Sequence, residues 1–160
     1  DLDDPAGPPG STVRHLLAHA SGLPFEGDLP IAGPGERRIY SNAGFDLLGE
    51  LLAARAEMPF AAYLQEAVLD PLGLGGTELR ARPSEGLHGP LSDLAAFGRE
   101  LLAPTLVAPA TLADAVTVQY PGLKGRVPGI GPITAAAIAI GLPAIAIATP
   151  AARISAHVGA

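Results

Sequence analysis

Cysteine is absent from this chain of 160 residues, so disulfides and thiolate metal sites are excluded. Basic residues are scarce. Ten lysines and arginines against 16 acids give a net charge of −6, which does not favour nucleic acid as a partner. Lys124 is the single lysine, and no acid follows Asp114. No signal peptide is visible, since the chain opens on Asp1-Leu2-Asp3-Asp4.

Glycine and proline are abundant instead, with 20 and 17 residues, so helices must be short and separated by turns. The length is that of one domain with one core. The spacing of apolar residues predicts helices in five segments, and the remainder shows no convincing strand. The first predicted helix is capped by Ser11 or Thr12 and runs to about Ala20, and the second follows Asn42 and runs to about Ala56. The others run from Phe60 to Leu69, from Ser92 or Asp93 to about Leu102, and from Pro109 to Ala115.

A polar triplet, Tyr40, Ser41 and Asn42, stands where a loop meets the second predicted helix. Asn42 is a suitable N-cap, because its side-chain oxygen can accept an amide of the first turn. Four leucines at helical spacing predict a buried stripe behind it: Leu47, Leu48, Leu51 and Leu52. A phenol held there can accept a proton, and an amide beside it can orient a carbonyl substrate. The alternative is a capped helix with a half-buried tyrosine.

Two histidines, His15 and His19, lie one helical turn apart. They can share a metal ion, or one imidazole can be hydrogen-bonded near the end of its helix. No HExxH pattern and no third ligand is evident, so the structural role is favoured, and we predict no metal site and no cofactor. The loop at 22–39 carries charged residues that we expect to form a solvated rim: Asp28, Glu36, Arg37 and Arg38.

Several blocks in order resemble the serine β-lactamase and penicillin-binding-protein superfamily, in its class C, esterase and D-aminopeptidase-like branch. They are residues 12–24 (TVRHLLAHASGLP), the triplet at 40–42, residues 71–74 (PLGL) with Thr77, and the flanking 1–5 (DLDDP) and 92–98 (SDLAAFG). The resemblance covers about residues 1–125. It implies a mainly α fold with little sheet, the helical subdomain of a serine β-lactamase-like α/β hydrolase. A helical hairpin tail is predicted separately from residue 126 on.

The resemblance implies acyl transfer on a small-molecule β-lactam, D-amino peptide or ester, with Tyr40 as proton shuttle and Asn42 as substrate contact. The family's nucleophile lies in a Ser-x-x-Lys motif, which this sequence lacks; Ser11 has Arg14 in the lysine's place, and an arginine stays protonated. We therefore expect a fragment that starts after its nucleophile and is inactive alone. Family analogy implies an exported or periplasmic protein. The third family motif is matched by His157-Val158-Gly159, and a chance match is favoured there.

The C-terminal residues 126–160 form a second predicted unit. Residues 127–135 (VPGIGPITA) resemble the hairpin of helix-hairpin-helix base-excision glycosylases of the endonuclease III type, in which the amides at Gly129 and Gly131 would face a phosphate. The catalytic aspartate and lysine of that family are replaced by Ala148 and Ile133. A packing hairpin is favoured over nucleic-acid binding. A membrane span over the uncharged stretch at 127–152 is not favoured, because four prolines interrupt it.

Three functional hypotheses remain: an acyl-transfer hydrolase fragment, which we favour, a nucleic-acid-binding module, and a non-catalytic interaction or structural domain. The sequence leaves the oligomeric state open.

Overall fold

The computed structural model describes residues 1–127 and 131–134. The helices are α1 (Val13–Leu17), α2 (Asn42–Ala56), α3 (Phe60–Leu64), α4 (Leu91–Leu102) and α5 (Pro109–Ala115), with a π-helical segment at Gln65–Leu69 that continues α3. The strands are β1 (Arg38–Ile39), β2 (Glu78–Leu79), β3 (Leu87–His88), β4 (Lys124–Val127) and β5 (Gly131–Thr134). The predicted mainly α class with little sheet is confirmed.

The helix predictions hold best where apolar spacing and turn residues agree. Helix α5 has the predicted bounds, and α3 with its π segment fills 60–69. Helix α2 ends at Ala56 as predicted but begins at Asn42, which was predicted to be its N-cap. Helix α1 is shorter than predicted, ending at Leu17 instead of Ala20. His19 takes a left-handed backbone conformation, with φ of 55°, which stops the helix before the predicted Ser21-Gly22 terminator.

The sequence showed no convincing strand, and the part of the chain that the structure describes has five short ones. Strand β1 pairs in parallel with β4, with Arg38 opposite Gly125, and β4 pairs antiparallel with β5. A separate antiparallel pair joins β2 and β3. Each strand is two to four residues long, too short to show the alternation that identifies a strand in a sequence.

The predicted helical hairpin is wrong for the part of it that the structure describes. Gly131 pairs with Val127 at the end of a β-hairpin, and residues 131–134 form strand β5 where a helix was expected. Gly129 and residues 135–160 lie outside the described residues, as do most of the span considered at 127–152 and the His157-Val158-Gly159 match. The proposed division at 125 stays a prediction, although β4 crosses it.

The best-buried apolar cluster lies between α1 and α2. Leu16, Leu23 and Leu48 form its centre, and the partly buried Val13, Leu17, Phe45 and Leu47 pack around them. The leucine stripe of α2 is confirmed for Leu48, but Leu52 is exposed, contrary to prediction. Burying a leucine side chain contributes about 2 kcal/mol, so this cluster fixes the start of α2 against α1. No helix among the described residues combines the length and hydropathy needed to cross a bilayer.

Candidate active site

Ser41 caps helix α2, which corrects the prediction that Asn42 does so. The Ser41 hydroxyl accepts the backbone N–H of Gly44 at 2.9 Å and donates to the carbonyl of Pro24 at 2.6 Å. Asn42 is already the first helical residue, and its backbone N–H donates to the carbonyl of Phe25 at 3.0 Å. Serine and asparagine are equally good N-caps, so the sequence could not show which of these two neighbours caps the helix.

His19 holds the triplet in place through a hydrogen bond to the backbone of Ser41. Its Nδ1 atom accepts the backbone N–H of Ser41 at 3.1 Å, so Nδ1 must be unprotonated. The imidazole is buried, with only 7% of the residue exposed, and lies 4.6 Å from the ring of Tyr40 and 4.9 Å from that of Phe45. Burial, and secondly the charge of Arg38, lower the pKa of His19 to about 4. His19 is therefore neutral at pH 7.

His15 makes a different hydrogen bond from His19, at the start of its own helix. Its Nδ1 atom lies 2.9 Å from the Thr12 hydroxyl and 3.3 Å from the Thr12 backbone nitrogen, at the start of α1. Its ring stacks on Tyr120 at 4.6 Å. Burial lowers the pKa of His15. The structural role predicted for this histidine pair is confirmed, and both imidazoles take part in it.

The backbone of Ser41 is extended, with φ of −132° and ψ of 110°. The Ser41 side chain is directed into the protein, with only 1% of the residue exposed. Tyr40 is half-buried between His19 and Phe25, whose ring centroid lies 6.0 Å away. The two predicted site residues thus flank a serine that is held by hydrogen bonds, and their roles in a site stay predictions.

Asn42 is buried, and its side chain reaches a charged cluster that the sequence did not reveal. Its Nδ2 atom donates to Oε1 of Glu26 at 3.2 Å. Arg82 binds the same carboxylate through two nitrogens, at 2.8 and 2.9 Å. Hydrogen bonds from Arg82, and secondly from Asn42, lower the pKa of Glu26. Nothing in the sequence indicated this pairing, because 56 residues separate the partners.

Arg38 is not part of a solvated rim, as predicted, but the largest fully buried side chain of the described residues, 1% exposed. Its guanidinium donates to the carbonyls of Ala18 and Gln119, each at 2.5 Å. Its Nε atom has no hydrogen-bond partner among the described residues. Burial without a carboxylate partner lowers the pKa of Arg38. The side chain ties the turn that carries His19 to the segment leading into β4.

A cleft of about 680 Å³ lies next to the charged cluster. Its walls include Arg82, two of the acids that contact it, and apolar residues from both sides of the triplet: Leu23, Glu26, Ala43, Asp46, Leu47 and Arg82. Neither Tyr40 nor Asn42 lines it. In the described part of the chain, no three histidines, aspartates or glutamates are grouped so as to hold a metal ion.

Residues 1–136 match the family model described as Beta-lactamase. A β-lactamase of Mycobacterium bovis, solved as a crystal structure, is 47% identical over 88% of this chain and 53% of its own, with a TM-score of 0.84. A β-lactamase/D-alanine carboxypeptidase from Yersinia pestis is 22% identical over 74% of this chain and 52% of its own, with a TM-score of 0.58, a likeness of fold alone. The D-alanyl-D-alanine-carboxypeptidase/endopeptidase AmpH of Escherichia coli (strain K12) is 35% identical over 54 residues, 34% of this chain and 14% of AmpH.

The chain belongs to the β-lactamase family of hydrolases, as its motifs predicted. It spans about half the length of the Mycobacterium bovis and Yersinia pestis relatives.

Proposed function

We propose that this chain carries the Tyr-x-Asn half of a serine acyl-transfer site, acting on a β-lactam, a D-amino peptide or an ester. Tyr40 moves a proton between the serine hydroxyl and the leaving group, and Asn42 contacts the substrate. The observation that supports this most is the fixation of Ser41. Three hydrogen bonds, with His19, Pro24 and Gly44, hold this residue between the two proposed site residues.

The proposal needs a nucleophile from outside these 160 residues. Each of the six serines lacks a lysine three positions later, and Lys124 is preceded at that spacing by Pro121. Arg14 follows Ser11 at that spacing, but it is bound to Asp3 and Asp114, and hydrogen bonds to those carboxylates raise its pKa further. It cannot serve as the base that a serine needs.

Covalent labelling tests the proposal in two proteins. The first is the 160-residue chain, shown to be folded by circular dichroism. The second is a transplant, in which this chain replaces the matching region of the 47% identical Mycobacterium bovis relative. Each is incubated with a penicillin or a fluorophosphonate, and its intact mass is measured.

We expect no adduct on the chain alone, and an adduct on a serine from the relative's part of the transplant. An adduct on Ser11 or another serine of this chain would show that the missing-nucleophile claim is wrong. A folded transplant without an adduct would remove the proposed acyl-transfer role.

A further inference from the structure

The side-chain amide of Asn42 faces a carboxylate, and this fixes its orientation. A carboxylate only accepts hydrogen bonds, so the amide nitrogen of Asn42 must be the end that faces Glu26. The amide oxygen is then directed away from Glu26. We infer that Glu26, held in place by Arg82, is a positioning residue that determines which end of the Asn42 amide a substrate meets. The inference rests on the proposed function, because it gives Asn42 a substrate to contact.

Arg82 gives Glu26 its fixed place. Two parallel N–H···O bonds at 2.8 and 2.9 Å hold the carboxylate in one plane, which a single contact does not do. Arg82 also lies 3.3 Å from Asp46 of α2 and 2.9 Å from Glu85. Its charge therefore joins three acids, of which Glu26 alone contacts Asn42.

The loop that carries Arg82 is itself fixed to α2. The backbone N–H of Ser84 donates to Asp46 at 3.0 Å. Pro83 packs so closely on Gly49 that a methyl group added there would meet its ring at 2.3 Å. Arg82 thus extends from a fixed turn between β2 and β3, and its position relative to the start of α2 is set by the backbone.

At neutral pH the charge of Arg82 keeps the Glu26 carboxylate ionised beside the Asn42 amide. Arg82, and secondly Asn42, lower the pKa of Glu26, so Glu26 is ionised and cannot donate to Asn42. Asp46 and Glu85 also contact Arg82, and Asp28 and Glu50 line the cleft together with Glu26. Since Glu26 is the acid within hydrogen-bond distance of the amide, removing it should release the amide without opening the cluster.

The contact can be observed in the 160-residue chain, because Asn42 is its only asparagine. Labelling with ¹⁵N-asparagine gives one side-chain NH₂ pair in a proton–nitrogen NMR spectrum. At pH 7 we expect Glu26→Ala to shift this pair toward the position of a free carboxamide and to narrow the separation of its two protons. Arg82→Gln should shift it in the same direction by less. Glu85→Ala is the matched control, since it removes another acid bound to Arg82, and should leave the pair in place.

The consequence for the reaction is measured in the transplant. Glu26→Ala should slow acylation by up to about 100-fold, the loss that an ångström of misplacement can cause, while Glu85→Ala stays close to the parent rate. An Asn42 signal that does not move in Glu26→Ala, or an acylation rate unchanged by that variant, overturns the inference. Failure of the proposed function looks different: Asn42→Ala itself would then leave acylation unchanged.

Discussion

The Nδ1 atom of His19 accepts the backbone N–H of Ser41 at 3.1 Å, so one neutral imidazole holds the residue between Tyr40 and Asn42. The pKa of His19 is lowered from 6.5 to about 4, chiefly by burial. The unfolded chain therefore binds a proton before the folded chain does. Stability is complete above pH 6.5, is lost as pH falls from 6.5 to 4, and levels off below 4, with a total loss of about 3 kcal/mol from this group.

Urea unfolding between pH 4 and 7.5 measures that loss. The control is His19→Asn, since asparagine tolerates the left-handed backbone and offers an oxygen where Nδ1 lies. Burial also lowers the pKa of His15, so the informative quantity is the difference between the two pH profiles. Identical slopes in parent and variant would contradict the role given to His19.

Ser41→Ala should destabilise the fold by about 1–2 kcal/mol, because it removes the N-cap of α2 and the bond to Pro24. Ser92→Ala is the control, since Ser92 is exposed and its hydroxyl reaches only the neighbouring Asp93. Chemical denaturation measures both. Asn42→Ala should cost less than Ser41→Ala; the reverse order would restore Asn42 as the cap.

Arg38→Ala should lower the free energy of unfolding by about 3 kcal/mol or more. It leaves the carbonyls of Ala18 and Gln119 without the donor that ties them together. The neighbouring Arg37 is exposed, and Arg37→Ala should change stability by less than about 0.5 kcal/mol. If thermal melts of the two variants coincide, the buried guanidinium is not what joins these segments.

Gly22→Ala should be the more damaging of two matched glycine substitutions. Gly22 has φ of +87°, and an added Cβ would lie 2.0 Å from the carbonyl oxygen of Ala32. Gly73 has a similar φ of +66° with nothing within 4 Å, so Gly73→Ala meets backbone strain alone, about 1–2 kcal/mol. Gly22→Ala should exceed that value and loosen the loop that carries Pro24 and Glu26. Equal losses in denaturant unfolding would contradict this.

Much of the fold could be predicted because local signals agreed with packing. The bounds of α5 and the end of α2 follow from apolar spacing and flanking turn residues, and the order of family motifs gave the family. Short strands could not be predicted, because β1 exists through pairing with a segment 87 residues later, as Arg38 opposite Gly125 shows. Charged residues are rarely buried, so Arg38 was assigned to the surface.

The candidate site, like the fold, could be predicted from the sequence only in part. Tyr40 and Asn42 followed from their motif, whereas the cap at Ser41 depends on a backbone conformation that the sequence does not specify. The contacts of Asn42 with Glu26, and of Glu26 with Arg82, depend on how loops distant in sequence come together.

The most direct test of the account is the acylation rate of the transplant with Tyr40→Phe, compared with Tyr63→Phe. Both changes remove one phenolic hydroxyl, but Tyr63 lies on α3, away from the triplet. We predict that Tyr40→Phe slows acylation by about 100-fold or more, as expected for the loss of a positioned proton carrier, and that Tyr63→Phe does not. Equal rates in the two variants would contradict the assignment of this triplet to an acyl-transfer site.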